Sequence, residues 1–156
     1  MINQQQLCEF LVKAKKVTYA AGAGAQTINE SDKSKTLNFT EGDWHYQDNY
    51  FGGEPFGGRE VVFFKNQPVY LMVYYGRVEE VVTDFEPVYQ ILRQALSLIP
   101  DAQPFRGPAQ YQTGDYVYIN NYQGEVDNFF GEEKISYQGA VVYQARYAGG
   151  LVDQKK

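Results

Sequence analysis

The chain carries one motif twice. Residues 42–52 read Gly-Asp-Trp-His-Tyr-Gln-Asp-Asn-Tyr-Phe-Gly, and residues 114–124 read Gly-Asp-Tyr-Val-Tyr-Ile-Asn-Asn-Tyr-Gln-Gly. Six of the eleven positions are identical, namely Gly42/Gly114, Asp43/Asp115, Tyr46/Tyr118, Asn49/Asn121, Tyr50/Tyr122 and Gly52/Gly124. A second echo follows: Val69-Tyr70 and Tyr74-Tyr75-Gly76 return as Val142-Tyr143 and Tyr147-Ala148-Gly149. A repeat at this spacing constrains the fold more than any single residue does. Both halves must place the same side chains in equivalent surroundings, so the chain reads as an internal duplication.

Each half supplies the same parts. Leu7, Phe10, Leu11, Ala14 and Val17 recur at helical spacing, with Asn3 as N-cap and Gly22 as stop, which predicts a helix over 4–17. Val88, Ile91, Leu92, Ala95, Leu98 and Ile99 predict a second helix over 84–99, with Asp84 as N-cap and Pro87 in the first turn. Strands are expected at 36–40, 44–51, 59–65 and 69–75, and again at 109–113, 116–122, 134–138 and 141–147. Residues 22–35 are small and polar and read as a mobile loop. The expected class is α+β: one domain spanning 1–156, built from two αββββ units over about 4–83 and 84–152. The units join into antiparallel sheet with both helices on one face.

Strand side chains alternate between faces. In each half four tyrosines therefore share a face: Tyr46, Tyr50, Tyr70 and Tyr74, then Tyr118, Tyr122, Tyr143 and Tyr147. Val117 and Ile119 have the opposite parity and suit a helix-packed core, which leaves the tyrosines on the uncovered face. At the positions of Val117 and Ile119 the first half has His45 and Gln47, and this broken symmetry marks a place to look for a site. The resulting expectation is a non-enzymatic domain that binds a small molecule or peptide on an aromatic face. Its candidate residues are Tyr46, Tyr50, Tyr74, Tyr118 and Tyr147, with His45 and Arg106 as polar partners. Arg106, held between Pro104 and Pro108, is read as pairing with an anionic ligand group or with a carboxylate such as Asp115. The glycine-rich link 51–59 reads as a tight hairpin connection, with a lid as its alternative.

Two other readings compete. One is a protein-interaction or self-association module, such as a homodimer closed over the tyrosine face. The other is an enzyme with a site around His45, Asp48 and Glu60, which requires those groups to converge. Carboxylates at strand ends, here Asp48, Glu60, Glu132 and Glu133, are usually solvated. No phosphate loop, nucleophile elbow or metal-ligand spacing is present, so no catalytic residues, metal or cofactor are assigned. The net charge of −5 does not suit nucleic-acid binding. The single cysteine, Cys8, reads as a spectator thiol. With no transmembrane-length apolar run and no evident signal peptide, the expectation is a cytoplasmic protein without a membrane partner.

Several motifs resemble a known family. They are Phe10-Leu-Val-Lys-Ala-Lys-Lys-Val-Thr-Tyr-Ala20, Glu41-Gly-Asp43, Tyr50-Phe-Gly-Gly53, Glu60-Val-Val62, Tyr74-Tyr-Gly76, Pro104-Phe-Arg-Gly-Pro108 and Tyr147-Ala-Gly-Gly-Leu151. Together they resemble an uncharacterised bacterial domain family whose members occur alone or behind an Xre-type helix-turn-helix. The resemblance spans roughly 7–152 and implies a domain of unknown function, in that setting a sensory one. It carries no catalytic residues over. The family's Tyr-x-Gly-Gly motif has a His where this chain has Ala148.

Overall fold

The computed structural model describes residues 2–155. Helix α1 spans Gln4–Val17, and the Asn3 side chain caps it by accepting from the Gln6 amide. Short 3-10 turns follow over Tyr19–Gly24, broken at Gly22, where φ is +59° and glycine is the residue that tolerates it. Strands β1 (Thr27–Asn29), β2 (Lys35–Glu41), β3 (Trp44–Gly52), β4 (Phe56–Phe64) and β5 (Gln67–Val78) come next. Helix α2 spans Glu86–Ser97. Strands β6 (Gln110–Thr113), β7 (Tyr116–Glu125), β8 (Asn128–Tyr137) and β9 (Ala140–Leu151) complete the chain. Phe85 rather than the expected Asp84 takes the cap position of α2; Asp84, one residue earlier, accepts from the Glu86 amide at 3.2 Å.

All nine strands form one antiparallel sheet in the order β1-β2-β3-β4-β5-β9-β8-β7-β6. The loop expected at 22–35 is more ordered than its composition implies. Within it β1 pairs with β2 in the register Thr27↔Leu37, and Asp32 Oδ1 accepts from both the amide and the hydroxyl of Ser34.

The register lays out matching rows in the two halves. Tyr46↔Val62↔Tyr70 crosses β3, β4 and β5, and Tyr118↔Ile135↔Tyr143 crosses β7, β8 and β9. One row on, Asp48↔Glu60↔Met72 corresponds to Asn120↔Glu133↔Ala145, and then Tyr50↔Gly58↔Tyr74 to Tyr122↔Gly131↔Tyr147. Tyr74 and Tyr147 face each other where β5 meets β9. The register shifts at Val62/Phe63 in one half and at Ile135/Ser136 in the other.

These rows lie under the helices. Leu7, Phe10, Leu11 and Ala14 of α1 pack with Tyr46, Val62 and Tyr70. Val88, Ile91, Leu92 and Ala95 of α2 pack with Tyr118, Ile135 and Tyr143. Each fully buried aliphatic side chain here contributes roughly 1.5–3 kcal/mol relative to exposure. The expected assignment of faces is therefore reversed: Tyr118 is 0% exposed, whereas its neighbour Ile119 is 41% exposed on the uncovered side. Tyr74, Tyr118, Tyr143 and Tyr147 find buried partners for their hydroxyls on Asp48, Glu133 and Asn120, whereas the hydroxyls of Tyr46 and Tyr70 are enclosed without one. Glycines make room for them, since a Cβ at Gly131 would lie 2.4 Å from the Tyr147 ring and one at Gly58 would lie 2.7 Å from the Tyr74 hydroxyl.

Candidate functional site

The carboxylates expected at the surface are instead the centre of the core. Asp48 is 2% exposed, Glu60 4% and Glu133 0%; only Glu132 of the four reaches solvent. Two cations are buried with them, Lys15 at 7% and Arg106 at 6%. Glu133 is saturated. Arg106 donates to its Oε1 from Nη2 (2.6 Å) and Nε (3.1 Å), Tyr143 donates to the same oxygen (2.9 Å), and Tyr118 donates to Oε2 (2.6 Å). Burial works to lower the Arg106 pKa, but the field and hydrogen bonds of Glu133, together with the nearby Tyr143 and Tyr118, raise it well above its ordinary value. Arg106 thus pairs with a carboxylate, as one reading of its loop anticipated, but that carboxylate is Glu133 and not Asp115. Asp115 accepts instead from the Gln138 amide.

Glu60 occupies the matching position in the first half. Lys15 Nζ lies 2.7 Å from its Oε2, but as an ion pair: the directed hydrogen bond from Lys15 goes to the Phe105 carbonyl (2.7 Å), and Glu60 Oε2 receives none. Burial pulls the Lys15 pKa down, against the opposing pull of Glu60. Asp48 is left with a single protein donor, the Tyr74 hydroxyl, at 2.5 Å from Oδ1. Desolvation, with Glu60 directly opposite on β4, raises the Asp48 pKa from 3.8 to about 7.

Asp48 also forms part of a cavity wall. A pocket of about 210 Å³ opens between the 3-10 turns, α2 and the β3–β4 connection. Its aromatic walls are Tyr19, Tyr50, Phe56, Tyr74 and Tyr89, and its polar lining is Asp48, Arg106 and Lys35. Gly52 and Gly53 complete one side. The β3–β4 connection is pinned in place rather than poised as a lid. Glu54 Oε1 accepts from the Val78 amide (2.7 Å), its Oε2 accepts from the Tyr89 hydroxyl, and Tyr89 also reaches the Gly53 carbonyl (3.2 Å). The Arg106 guanidinium carbon stands 5.9 Å from the Tyr19 ring centre and 5.8 Å from that of Tyr74. Because its hydrogen bonds leave through Nε and Nη2, Nη1 has no protein acceptor. Oδ2 of Asp48 has no protein donor. A wider, shallower groove of about 590 Å³ along Ile2, Phe64 and Pro68 has no buried charged side chain in its lining.

Of the seven candidate residues, Tyr50, Tyr74 and Arg106 line the cavity. Tyr46, Tyr118 and Tyr147 are sealed in the core beyond it. His45 is on the other face of the sheet, where its Nδ1 pairs with the Thr40 hydroxyl (2.8 Å) and its ring lies against Phe63. The convergence of His45, Asp48 and Glu60 required by the enzyme reading does not occur, because residue 45 has the opposite strand parity to 48. The face on which a partner is expected to close carries the chain's own helices instead. Sequence reasoning named Asp48 only in the competing enzyme reading and missed Tyr19, Lys35, Phe56 and Tyr89 as cavity residues. The one available signal was the repeat, which has Asp48 in one half and Asn120 in the other.

A family model described as a domain of unknown function, DUF5680, matches residues 48–152. The chain belongs to this family. The DUF5680 match begins at Asp48 and includes every cavity residue except Tyr19 and Lys35. No curated protein and no solved structure matches the chain. Among the described residues, no group of three or more His, Cys, Asp or Glu side chains is arranged to hold a metal ion, and no helix is long and apolar enough to cross a membrane.

Proposed function

We propose that the chain is a non-enzymatic binding domain whose site is the 210 Å³ cavity between the 3-10 turns, α2 and the β3–β4 connection, and that it takes up a small molecule there. The observation that carries this reading is the meeting of five aromatic walls with two buried groups, Asp48 and Arg106, each with an atom lacking a protein partner. Few convergent polar groups in an aromatic cleft are the usual composition of a ligand site. The volume exceeds the roughly 150 Å³ of an engineered apolar cavity that accepts benzene, so the ligand is about the size of one ring with a short substituent. The matching rows of the two halves support reading the fold as a duplicated unit, with the site where Asp48 of the half that departs from the symmetry meets Tyr89 and Arg106 of the other. A sensing role in the cytoplasm, in the manner of domains found behind DNA-reading modules, fits such a site.

The test is a metabolite screen by thermal shift, with hits mapped by amide chemical-shift changes. Hits that move the amides of Tyr19, Tyr50, Gly53 and Tyr89 support the proposal. A screen whose hits all map elsewhere, or that gives none, overturns it.

A further inference from the structure

We infer that the cavity selects a compact cation, a protonated amine on a small apolar or aromatic body, with its ammonium group on Asp48. This rests on the reading of the cavity as a ligand site and adds the chemical class.

The first support is the count of buried charge. Three acids, Asp48, Glu60 and Glu133, are enclosed with two bases, Lys15 and Arg106. Arg106 belongs to Glu133 and Lys15 to Glu60. Asp48 is the carboxylate left over, and a buried charge without a counter-charge is costly. The second support is position. Asp48 is the only one of the three acids in the cavity wall, and its Oδ2 is without a protein donor. The third is the character of the walls. Faces of Tyr and Phe attract cations, most strongly where water is excluded, and Tyr19 and Tyr74 already flank the Arg106 guanidinium.

The groups that face Asp48 from each neighbouring element are Glu60 on β4, Tyr74 on β5, Lys15 on α1, Tyr19 on the 3-10 turns and Arg106 from the 104–108 loop; Lys35 on β2 sits exposed on the cavity lining. An anion would have Arg106 and Lys35 to bind, but it would add a second unmatched negative charge to the enclosed set. The two ligand classes therefore differ in proton linkage. A cation favours ionised Asp48 and displaces its proton, whereas an anion requires Asp48 to keep or take up a proton. With the Asp48 carboxyl raised toward neutrality, cation binding tightens as pH rises through that range.

The experiment titrates the full chain with benzylamine, benzyl alcohol and benzoate, three probes of one shape, at about pH 5.5 and about pH 8. Amide shifts locate binding and calorimetry measures affinity and proton release. The expected result is benzylamine bound at the cavity roughly tenfold more tightly at the higher pH, with benzyl alcohol weaker by at least about tenfold and benzoate weaker still. Asp48→Asn should remove about tenfold or more of the benzylamine affinity and leave that for benzyl alcohol unchanged. Benzoate binding most tightly, with proton uptake, overturns the inference in favour of an anion site. Benzyl alcohol matching benzylamine, with no effect of Asp48→Asn, overturns the inference while the cavity remains a ligand site. If none of the probes moves the cavity amides, the inference and the reading beneath it both fail.

Discussion

Replacing Asp48 with the residue at the matching position of the other half, Asn120, should stabilise the unliganded protein, and only above acidic pH. In the folded chain the Asp48 pKa is raised from 3.8 to about 7, with burial as the largest cause. Below about pH 4 the carboxyl is protonated in both folded and unfolded chains and has no net effect. Between about pH 4 and pH 7 the unfolded chain has lost this proton while the folded one keeps it, so wild-type stability falls as pH rises. Above about pH 7 the group is ionised in both states and the full cost persists. The gap from 3.8 to about 7, at about 1.4 kcal/mol per pH unit, corresponds to about 4 kcal/mol. Relaxation around Asp48 and Glu60 lowers this to about 2–4 kcal/mol. Asn retains an acceptor for Tyr74 and loses the charge. At roughly 2–4 °C per kcal/mol, Asp48→Asn should raise Tm by roughly 4–16 °C at about pH 8. The two proteins should converge near pH 4. Thermal and urea unfolding across this range measure the difference. A gap independent of pH, or a variant less stable than wild type at pH 8, would falsify the assignment of Asp48 as the unmatched buried charge.

Other perturbations separate the buried groups from one another. Arg106→Met strands Glu133 without its cation, and urea unfolding should register a loss of about 3–5 kcal/mol. Tyr118→Phe removes a hydroxyl that donates to Glu133 and should cost about 1.5–3 kcal/mol. Tyr46→Phe, in the matching row, removes a buried hydroxyl with no partner and should be neutral or stabilising by the same assay. Gly131→Ala drives a methyl group into the Tyr147 ring and should cost about 1–3 kcal/mol. Gly53→Ala, where an added Cβ meets nothing within 4 Å, should leave the unfolding midpoint nearly unchanged.

The elements were legible in the sequence because their signals are local. α1 ends where the apolar periodicity of Leu7, Phe10, Leu11 and Ala14 gives out, and β3 and β7 lie where the repeated motif placed them. Pairing within each half follows from short turns, since each hairpin joins neighbours, but no short turn fixes the β5–β9 pairing that joins the halves. What strand parity cannot say is which of two faces a helix will cover. On β3 one face carries Tyr46, Asp48 and Tyr50 and the other His45, Gln47 and Asn49, so both contain polar groups and residue-by-residue hydrophobicity gives no decisive vote. The cavity was hidden for a further reason: Tyr19, Lys35 and Tyr89 come from three separated segments that meet only after the sheet is formed and both helices are docked.

The choice of face is made by pairing between polar groups far apart in the chain. Tyr118 and Tyr143 can be buried because both donate to Glu133, one row along β8 from the Ile135 that lies between them, and Glu133 can be buried because Arg106 arrives from a loop. Each group alone would be unfavourable in the core, and together they satisfy one another. The second half completes this closure, with Asn120 taking donors and acceptors from Tyr147 and Gly107. The first half does not. Its Tyr46 and Tyr70 hydroxyls lack partners, Glu60 has an ion pair without a directed hydrogen bond, and Asp48 holds one donor beside an open cavity. The second half thus closes its own polar network, whereas in the first half Asp48 keeps an oxygen without a protein donor at the wall of the cavity, and that is where the proposed cation would meet it.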